Sequence, residues 1–257
     1  MIRLAINGGA GRMGQAMAQG LGSLPDISLV ALVDANEPRD LFGARWARSL
    51  DELSDTEITH VVDFSLPQAI PALSIWCAAH KVALVTGTTG LDASQSAELE
   101  RVATVTGVVQ ASNFSIGAVL SERFSAVAAP FFPRVEIIEL HHDKKVDAPS
   151  GTSLTTARAI DGARASAGLG KLEDMTEKSS LPGARGAESD GGVRIHSVRL
   201  PGLVAHQEVI FGGPGEGLTI RHDSFDRSSF VQGVALALRH IDANPRFVKG
   251  IETFLNL

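Results

Sequence analysis

Apolar residues in the first half of the chain gather into short runs separated by helix-length polar stretches. "IRLAIN" (2–7), "ISLVALVD" (27–34), "ITHVVDFS" (58–65), "KVALVTGTTG" (81–90) and "TGVVQASNFS" (106–115) each read as a buried strand ending in small or polar residues. Between them, Met13, Met17 and Leu21 recur at helical spacing, and "PQAIPALSIWCAAH" and "DASQSAELERVAT" also fit helices. Continuous apolar strands alternating with helices predict an α/β fold with a doubly wound parallel sheet. In such a sheet ligands bind beyond the carboxyl ends of the strands, which here are "GGAGRMG", Asp34, "DFS", "TGTTG" and "SNFS".

The second half has a different period. "RVEIIEL" (134–140), "GVRIHSVRL" (192–200), "VAHQEVIFG" (204–212) and "GLTIRH" (217–222) alternate apolar and polar residues, as strands with one wet or interfacial face do. One helix, "SGTSLTTARAIDGARASA", lies among them, which predicts an α+β domain with an open mixed sheet. Residues 167–191 are rich in Gly, Ser and charge without periodicity, as a lid, an interface arm or a disordered loop would be. The tail "SSFVQGVALALRHI" returns to helical spacing, with Phe230, Val234, Leu238 and Ile241 on one stripe expected to pack on the first domain. The expected division is a dinucleotide-binding domain over 1–112 and 223–257, and a substrate-binding and oligomerisation domain over 113–222.

Composition narrows the classes. A chain of 257 residues that is 44% hydrophobic and 20% charged can bury a core. Its net charge of −6 speaks against a general nucleic-acid binder. Cys77 is the only cysteine, so there is no intrachain disulfide and no Cys-rich metal site. No apolar run approaches the roughly 20 residues of a membrane helix. "MIRLAIN" enters a strand at once, with no leader-like segment ahead of it, so a cytoplasmic location is expected.

The turn after the first strand carries a mechanism. Gly9, Gly11 and Gly14 satisfy G-x-G-x-x-G, and Gly8 opens a second glycine register. Such glycines let backbone approach a pyrophosphate, while the following helix N-terminus offers N–H groups and partial positive charge. Glycine turns are common, but this one follows a strand, opens a helix and has Asp34 at the end of the next strand. That context predicts a Rossmann-type dinucleotide site. A carboxylate at Asp34 would accept ribose hydroxyls and repel a 2′-phosphate. Ala35 follows it, with Arg12 and Arg39 the nearest basic residues, so NADH is expected to serve at least as well as NADPH.

"IELHHDKKVDAPSGTS" (138–153) concentrates titratable groups at a strand end. "DKKVDAP" suits a turn, Ser150 suits a helix N-cap, and Gly151 and Thr152 would fill the first helical turn. Two histidines, a lysine and an anion-binding helix terminus suit a carboxylated substrate that must be held and protonated. His60, His80, His196, His206, His222 and His240 are expected to be structural or exposed, Lys144 solvated and Asp147 a turn former. Adjacent His141 and His142 make a poor metal pair, and no metal is expected. A Schiff base at Lys145 is conceivable, but beside a hydride cofactor proton donation is the more economical role.

"ELHHDKKVDAPSGTS" resembles the signature of the dihydrodipicolinate reductase (4-hydroxy-tetrahydrodipicolinate reductase) family of lysine and diaminopimelate synthesis. The likeness continues through "GAGRMG", "VVDFS", "VTGTTG", "ASNFSIG", "HSVRLPGLVAHQEVIFGGPGE" and "IRHDSFDRSSF", in family order along the whole chain. The resemblance implies an NAD(P)H-dependent oxidoreductase acting on a small cyclic dicarboxylate, and a homotetramer joined through the second-domain sheets. It implies cofactor contacts at Gly8, Gly9, Ala10, Gly11, Arg12, Met13 and Asp34, at Gly87, Thr88 and Thr89, and at Ala111, Ser112, Asn113 and Phe114. It further implies that His141 and Lys145 handle protons, that His142 touches substrate, and that Gly151 and Thr152, beside Ser150, seat a carboxylate. Relatives favouring NADPH tend to carry an arginine after the ribose acid, where this chain has Ala35. Two other readings stay open on residues alone. Another oxidoreductase on the same scaffold would be separated by a substrate panel, and an idle NAD(H)-binding regulator by binding without turnover.

Overall fold

The computed structural model describes residues 1–256. Along the chain it forms β1 (Ile2–Asn7), α1 (Arg12–Leu21), β2 (Ile27–Val33), β3 (Arg45–Ala47), β4 (His60–Asp63), α2 (Ile70–His80), β5 (Ala83–Thr86), α3 (Ala93–Val102) and β6 (Gly107–Gln110). There follow α4 (Ile116–Ala128), β7 (Arg134–His141), α5 (Gly151–Ser166), β8 (Ala187–Glu188), β9 (Arg194–Arg199), β10 (Ala205–Gly213) and β11 (Glu216–Ser224). The chain closes with α6 (Val231–His240) and β12 (Arg246–Lys249). Two compact units result: Met1–Ile116 with the segment from Arg227 onward, and Gly117–Asp226.

The first unit is a parallel sheet in the order β12-β6-β5-β4-β1-β2-β3. Its strands are apolar on consecutive positions because both faces are covered: Leu4, Ala5, Ile6, Val61, Val62, Leu84 and Val85 are all fully buried. The order reverses between β1 and β4, the place where a doubly wound sheet opens a crevice at its carboxyl edge. The tail helix α6 packs within this unit. A Cβ on Gly20 of α1 would come within 2.4 Å of the Val231 side chain, and Val234, Ala235, Ala237 and Leu238 are buried. His60 is structural as expected, its ring bridging Thr59 Oγ1 at 2.8 Å and the Ile241 carbonyl at 2.9 Å. The short edge strands β3 and β12 carry too few residues to show a period and were not anticipated.

The second unit is a mixed sheet in the order β11-β10-β7-β9-β8, with β7 antiparallel to β10 and parallel to β9. Alternation decides its faces. Val135, Ile137, Ile195, Val209 and Phe211 bury against Ala157 and Ile160 of α5, while Glu136, Ile138, His196 and Ile210 line a surface hollow of about 350 Å³ on the other side.

Two findings depart from the sequence expectation. A second helix, α4, precedes β7. It escaped notice because its apolarity is inverted: the buried residues are Ala118, Ser121 and Ser125, whereas Phe124 and Val127 are 47% and 59% exposed. Small inward residues permit close approach, and a Cβ on Gly117 would lie 2.5 Å from the His222 ring. The segment 167–191, expected to be a lid, an interface arm or a disordered loop, is largely exposed but tied down at several points. Leu172 joins the core and donates its amide to the Gly191 carbonyl at 2.9 Å, and β8 pairs with β9. Arg185 pairs with Glu136, and Arg194 reaches Asp174 at 2.9 Å and Glu188 at 2.7 Å.

Candidate active site

The carboxyl rim of the parallel sheet is built in register: Asn7 lies opposite both Val33 and Asp63, and Asp63 opposite Thr86. The glycine turn leaves β1 here. Gly8 takes φ +82°, and a Cβ on it would meet the Phe64 carbonyl at 2.6 Å. Gly14 has no room either, since its Cβ would stand 2.1 Å from the Gly8 carbonyl oxygen. Gly11 caps α1 without any side-chain hydrogen bond, so the first-turn N–H groups of α1 face no side-chain acceptor. Asp34 closes the turn. Its Oδ2 accepts the Ala10 amide at 3.0 Å and its Oδ1 the Asn36 amide at 3.1 Å. Gly11 and Arg12 are exposed and Met13 half-buried on this rim. A glycine cradle that admits no Cβ, an uncapped helix N-terminus and a carboxylate beside it fit a dinucleotide. Nearby, Asn7, Val33, Arg48, Ser49, Leu73 and Trp76 contribute to a cavity of about 210 Å³.

Asp63, fully buried at the end of β4, organises the rest of the rim. Its Oδ1 accepts from Asn7 Nδ2 at 2.8 Å and Ser65 Oγ at 2.6 Å. Its Oδ2 accepts from Thr86 Oγ1 at 2.8 Å and Thr88 Oγ1 at 2.7 Å. The Phe64 ring then ties two loops together. It meets Phe114 edge-on at 5.8 Å, and a Cβ on Gly87 would strike it at 2.1 Å. The structure thus brings Gly87, Thr88 and Thr89 next to Ala111, Ser112, Asn113 and Phe114, with Thr89 and Ser112 exposed and Asn113 holding the Ser115 amide at 2.9 Å.

In the second unit, β7 ends in a polar cluster around Glu139, which is fully buried. Its Oε2 receives His141 Nδ1 at 2.5 Å and Arg199 Nη1 at 2.8 Å. Its Oε1 receives Arg199 Nη2 at 2.7 Å and the Ser150 amide at 3.2 Å. Burial pushes the Glu139 carboxyl up, but the hydrogen bonds from Arg199, Ser197 and His141 outweigh it and leave it below the ordinary carboxylate value. Glu139 is therefore ionised at neutral pH and can only accept. His141 is pushed below the usual imidazole value by burial, helped by the charges of Lys145 and Arg199 and opposed by Glu139. Its ring is therefore mainly neutral at pH 7, and its Nδ1 faces a carboxylate while Nε2 makes no hydrogen bond among the described residues.

The turn after β7 places the remaining groups. Lys145 donates its amide to the His142 carbonyl at 3.1 Å, and its Nζ reaches both Asp147 oxygens at 2.8 and 2.9 Å. That contact holds the Asp147 carboxyl below its ordinary range. Arg199 also donates to the Asp147 carbonyl at 2.7 Å, pinning the turn to β9. His142 and Lys144 are exposed. Ser150 is the N-cap of α5, its Oγ accepting the Ser153 amide at 3.2 Å, so Gly151 and Thr152 occupy the first turn. Ser153 Oγ donates to Gln207 Oε1 at 2.7 Å, and Gln207 Nε2 donates to Thr156 Oγ1 at 3.0 Å, which locks the helix start onto β10. The arrangement offers a neutral imidazole, an ammonium group and an anion seat from one short stretch of chain.

Sequence reasoning named His141, Lys145 and the α5 terminus but missed Glu139, Arg199 and Asp63 as organisers. A signal for Glu139 existed: it shares the inward register of β7 with buried Val135 and Ile137, where an acid needs partners. The other histidines have local partners: His80 the Trp76 carbonyl, His196 Glu136, His206 Asp223, and His240 the Leu236 carbonyl.

Known proteins agree along the full length. The family profile described as "Dihydrodipicolinate reductase, N-terminus" matches residues 2–114, and that described as "Dihydrodipicolinate reductase, C-terminus" matches 117–255. The 4-hydroxy-tetrahydrodipicolinate reductase of Nocardia farcinica is 46% identical over 259 residues, covering 100% of this chain and 99% of that one. That of Cutibacterium acnes is 46% identical over 264 residues, covering 100% of both. Among solved structures, dipicolinate-bound dihydrodipicolinate reductase from Paenisporosarcina sp. TG-14 superposes with a TM-score of 0.87 at 39% identity, over 98% of this chain and 99% of that one. A myo-inositol dehydrogenase from Corynebacterium glutamicum, 16% identical with a TM-score of 0.59, shares the fold alone. With both halves of the family profile and whole-length relatives matched, the chain belongs to the dihydrodipicolinate reductase family.

Proposed function

We propose that this chain reduces 4-hydroxy-tetrahydrodipicolinate to tetrahydrodipicolinate with NAD(P)H and loss of water, a step of lysine and diaminopimelate biosynthesis. The observation that carries the proposal is the clustering of His141, Lys145 and the capped N-terminus of α5 in a chain matched end to end by the family.

The first unit is read as the dinucleotide-binding domain. Gly8, Gly9, Ala10, Gly11, Arg12 and Met13 would hold the pyrophosphate, Asp34 the ribose, and Gly87–Thr89 with Ala111–Phe114 the remainder. A bound reduced nicotinamide supplies the hydride. The chain's own groups do the rest. Gly151 and Thr152, beside Ser150, seat a ring carboxylate on the first-turn N–H groups of α5, which fixes the ring in place. His142 contacts substrate. The hydroxyl leaves as water with a hydrogen from the neighbouring ring carbon, the hydride enters at the carbon that lost the hydroxyl, and Lys145 returns one proton to the neighbouring carbon, exchanging its Asp147 partner for substrate as it does so. Nε2 of His141 orients that transfer by accepting a hydrogen bond.

Asp34 followed by Ala35 supports use of NADH at least as readily as NADPH. The open sheet face around Ile138 and Ile210 supports a homotetramer joined through the second unit, and among the described residues no helix is long and apolar enough to cross a membrane. A cytoplasmic location suits such a biosynthetic enzyme. The test is a coupled assay in which the substrate is made from pyruvate and aspartate semialdehyde by its synthase. Loss of NADH and NADPH absorbance is then followed, and no acceleration with either cofactor would overturn the reading.

A further inference from the structure

We infer that Glu139 is the positioning residue of the site: it fixes His141 as the Nδ1–H tautomer, leaving Nε2 as a hydrogen-bond acceptor, and binds that imidazole to the same carboxylate that holds the N-cap of α5. This rests on the assignment of His141 and the α5 terminus to the reaction.

Each oxygen of Glu139 serves one part of the machinery as well as one arm of Arg199. Oε2 takes the His141 Nδ1–H and Arg199 Nη1, while Oε1 takes the Ser150 N–H and Arg199 Nη2. None of these donors can turn round and accept, except His141 by moving its proton to Nε2. A glutamine in this place has one acceptor oxygen and one amide donor. With its amide toward Ser150 it faces the Ser150 N–H and Arg199 Nη2, three donors with no acceptor among them. With its amide toward His141 it faces Arg199 Nη1 and satisfies the ring only if the Nε2–H tautomer forms. The second arrangement removes the lone pair that the reaction uses. Glu139→Gln is therefore far from conservative here, although it keeps shape and volume. The anion seat is linked to the imidazole by the same atoms, since the carboxylate that orients His141 also receives the amide of the residue capping the seat.

The test reads the tautomer directly and then the coupling. In the unaltered protein, histidine-labelled with 15N near neutral pH, the His141 nitrogens should report a protonated Nδ1 and a bare Nε2; a predominant Nε2–H form would overturn the inference without any variant having to fold. Next, Glu139→Gln should lower kcat by at least about tenfold, the scale on which groups orienting a functional histidine act. NADH affinity should not change. In a His141→Ala background the same change should cost several-fold less than in the unaltered protein, because the imidazole is gone and only the hold on Ser150 is left to lose. An equal loss in both backgrounds would overturn the positioning role. If the unaltered protein failed to turn over the proposed substrate while His141 still showed the Nδ1–H form, the reaction assignment would fall and the tautomer assignment would stand.

Discussion

Asp34 Oδ2 accepts the backbone amide of Ala10 at 3.0 Å, so the acid at the end of β2 holds the glycine turn in place. Its other oxygen holds the Asn36 amide, which leaves the remaining lone pairs of both oxygens for hydroxyls. Asp34→Ala should weaken NADH by one to two orders of magnitude, as expected for charge-assisted hydrogen bonds worth about 1.5–3 kcal/mol. NADPH should lose less, because the repulsion of its 2′-phosphate disappears with the carboxylate. Fluorescence titration with both cofactors measures the pair, and equal losses would contradict this role.

Asp63 makes a sharper prediction because its two neighbours of greatest interest are hydroxyls. Thr86 and Thr88 donate to Oδ2, but a hydroxyl can also accept, so Asp63→Asn can present its amide to them and keep the rim in place. Asp63→Ala leaves the Thr86 and Thr88 hydroxyls without their acceptor, at about 1–3 kcal/mol per stranded group, and leaves the Asn7 amide only Ser65 Oγ at 3.1 Å. The alanine variant should lose several degrees of Tm and bind NADH poorly, whereas the asparagine variant should do neither. Thermal melts and NADH titration on both distinguish the cases.

At Gly14 the backbone of the turn itself is the obstacle. A methyl group there would stand 2.1 Å from the Gly8 carbonyl oxygen, and backbone cannot swing aside as a side chain can. Gly14→Ala should cost about 1–3 kcal/mol from overpacking and reduce NADH affinity by more than tenfold, because the turn that must meet the pyrophosphate is displaced. Denaturant melts with NADH titration check both parts.

Stability should fall in mildly acidic solution. His60, His141 and His222 all sit below the unfolded imidazole value of 6.5, with burial the first cause in each case. A histidine whose folded value is depressed takes up its proton on unfolding, so its contribution is complete above 6.5 and is lost as the pH drops below that value. The depressed carboxylate of Glu139 acts lower, its contribution being lost as pH falls below its unfolded value of 4.5. Unfolding free energies at about pH 7.5 and about pH 5.5 should show the first loss before any carboxylate titrates. Replacing His60, which bridges Thr59 and Ile241, should shrink that difference.

The sequence made some of this legible and concealed the rest for physical reasons. Parallel strands covered on both faces print continuous apolar runs, which is why β1, β2, β4, β5 and β6 could be read directly. The glycine turn was readable because its geometry forbids Cβ atoms, and the α5 terminus because Ser150 caps it. The helix α4 was hidden by its small polar inner face, since packing there depends on close approach rather than apolar bulk. Arg199 joins Glu139 across sixty positions of sequence, and no local pattern encodes a partner that only sheet pairing of β7 with β9 brings near. Asp63 looked like one polar end among several until register placed it between Asn7 and Thr86.

The most direct measurement is the turnover of Lys145→Ala and His141→Ala in the coupled assay, with NADH affinity measured in parallel. Each variant should lose about two orders of magnitude or more in kcat, the scale of a general acid, while binding NADH as the unaltered protein does. Near-normal turnover in both would contradict the account.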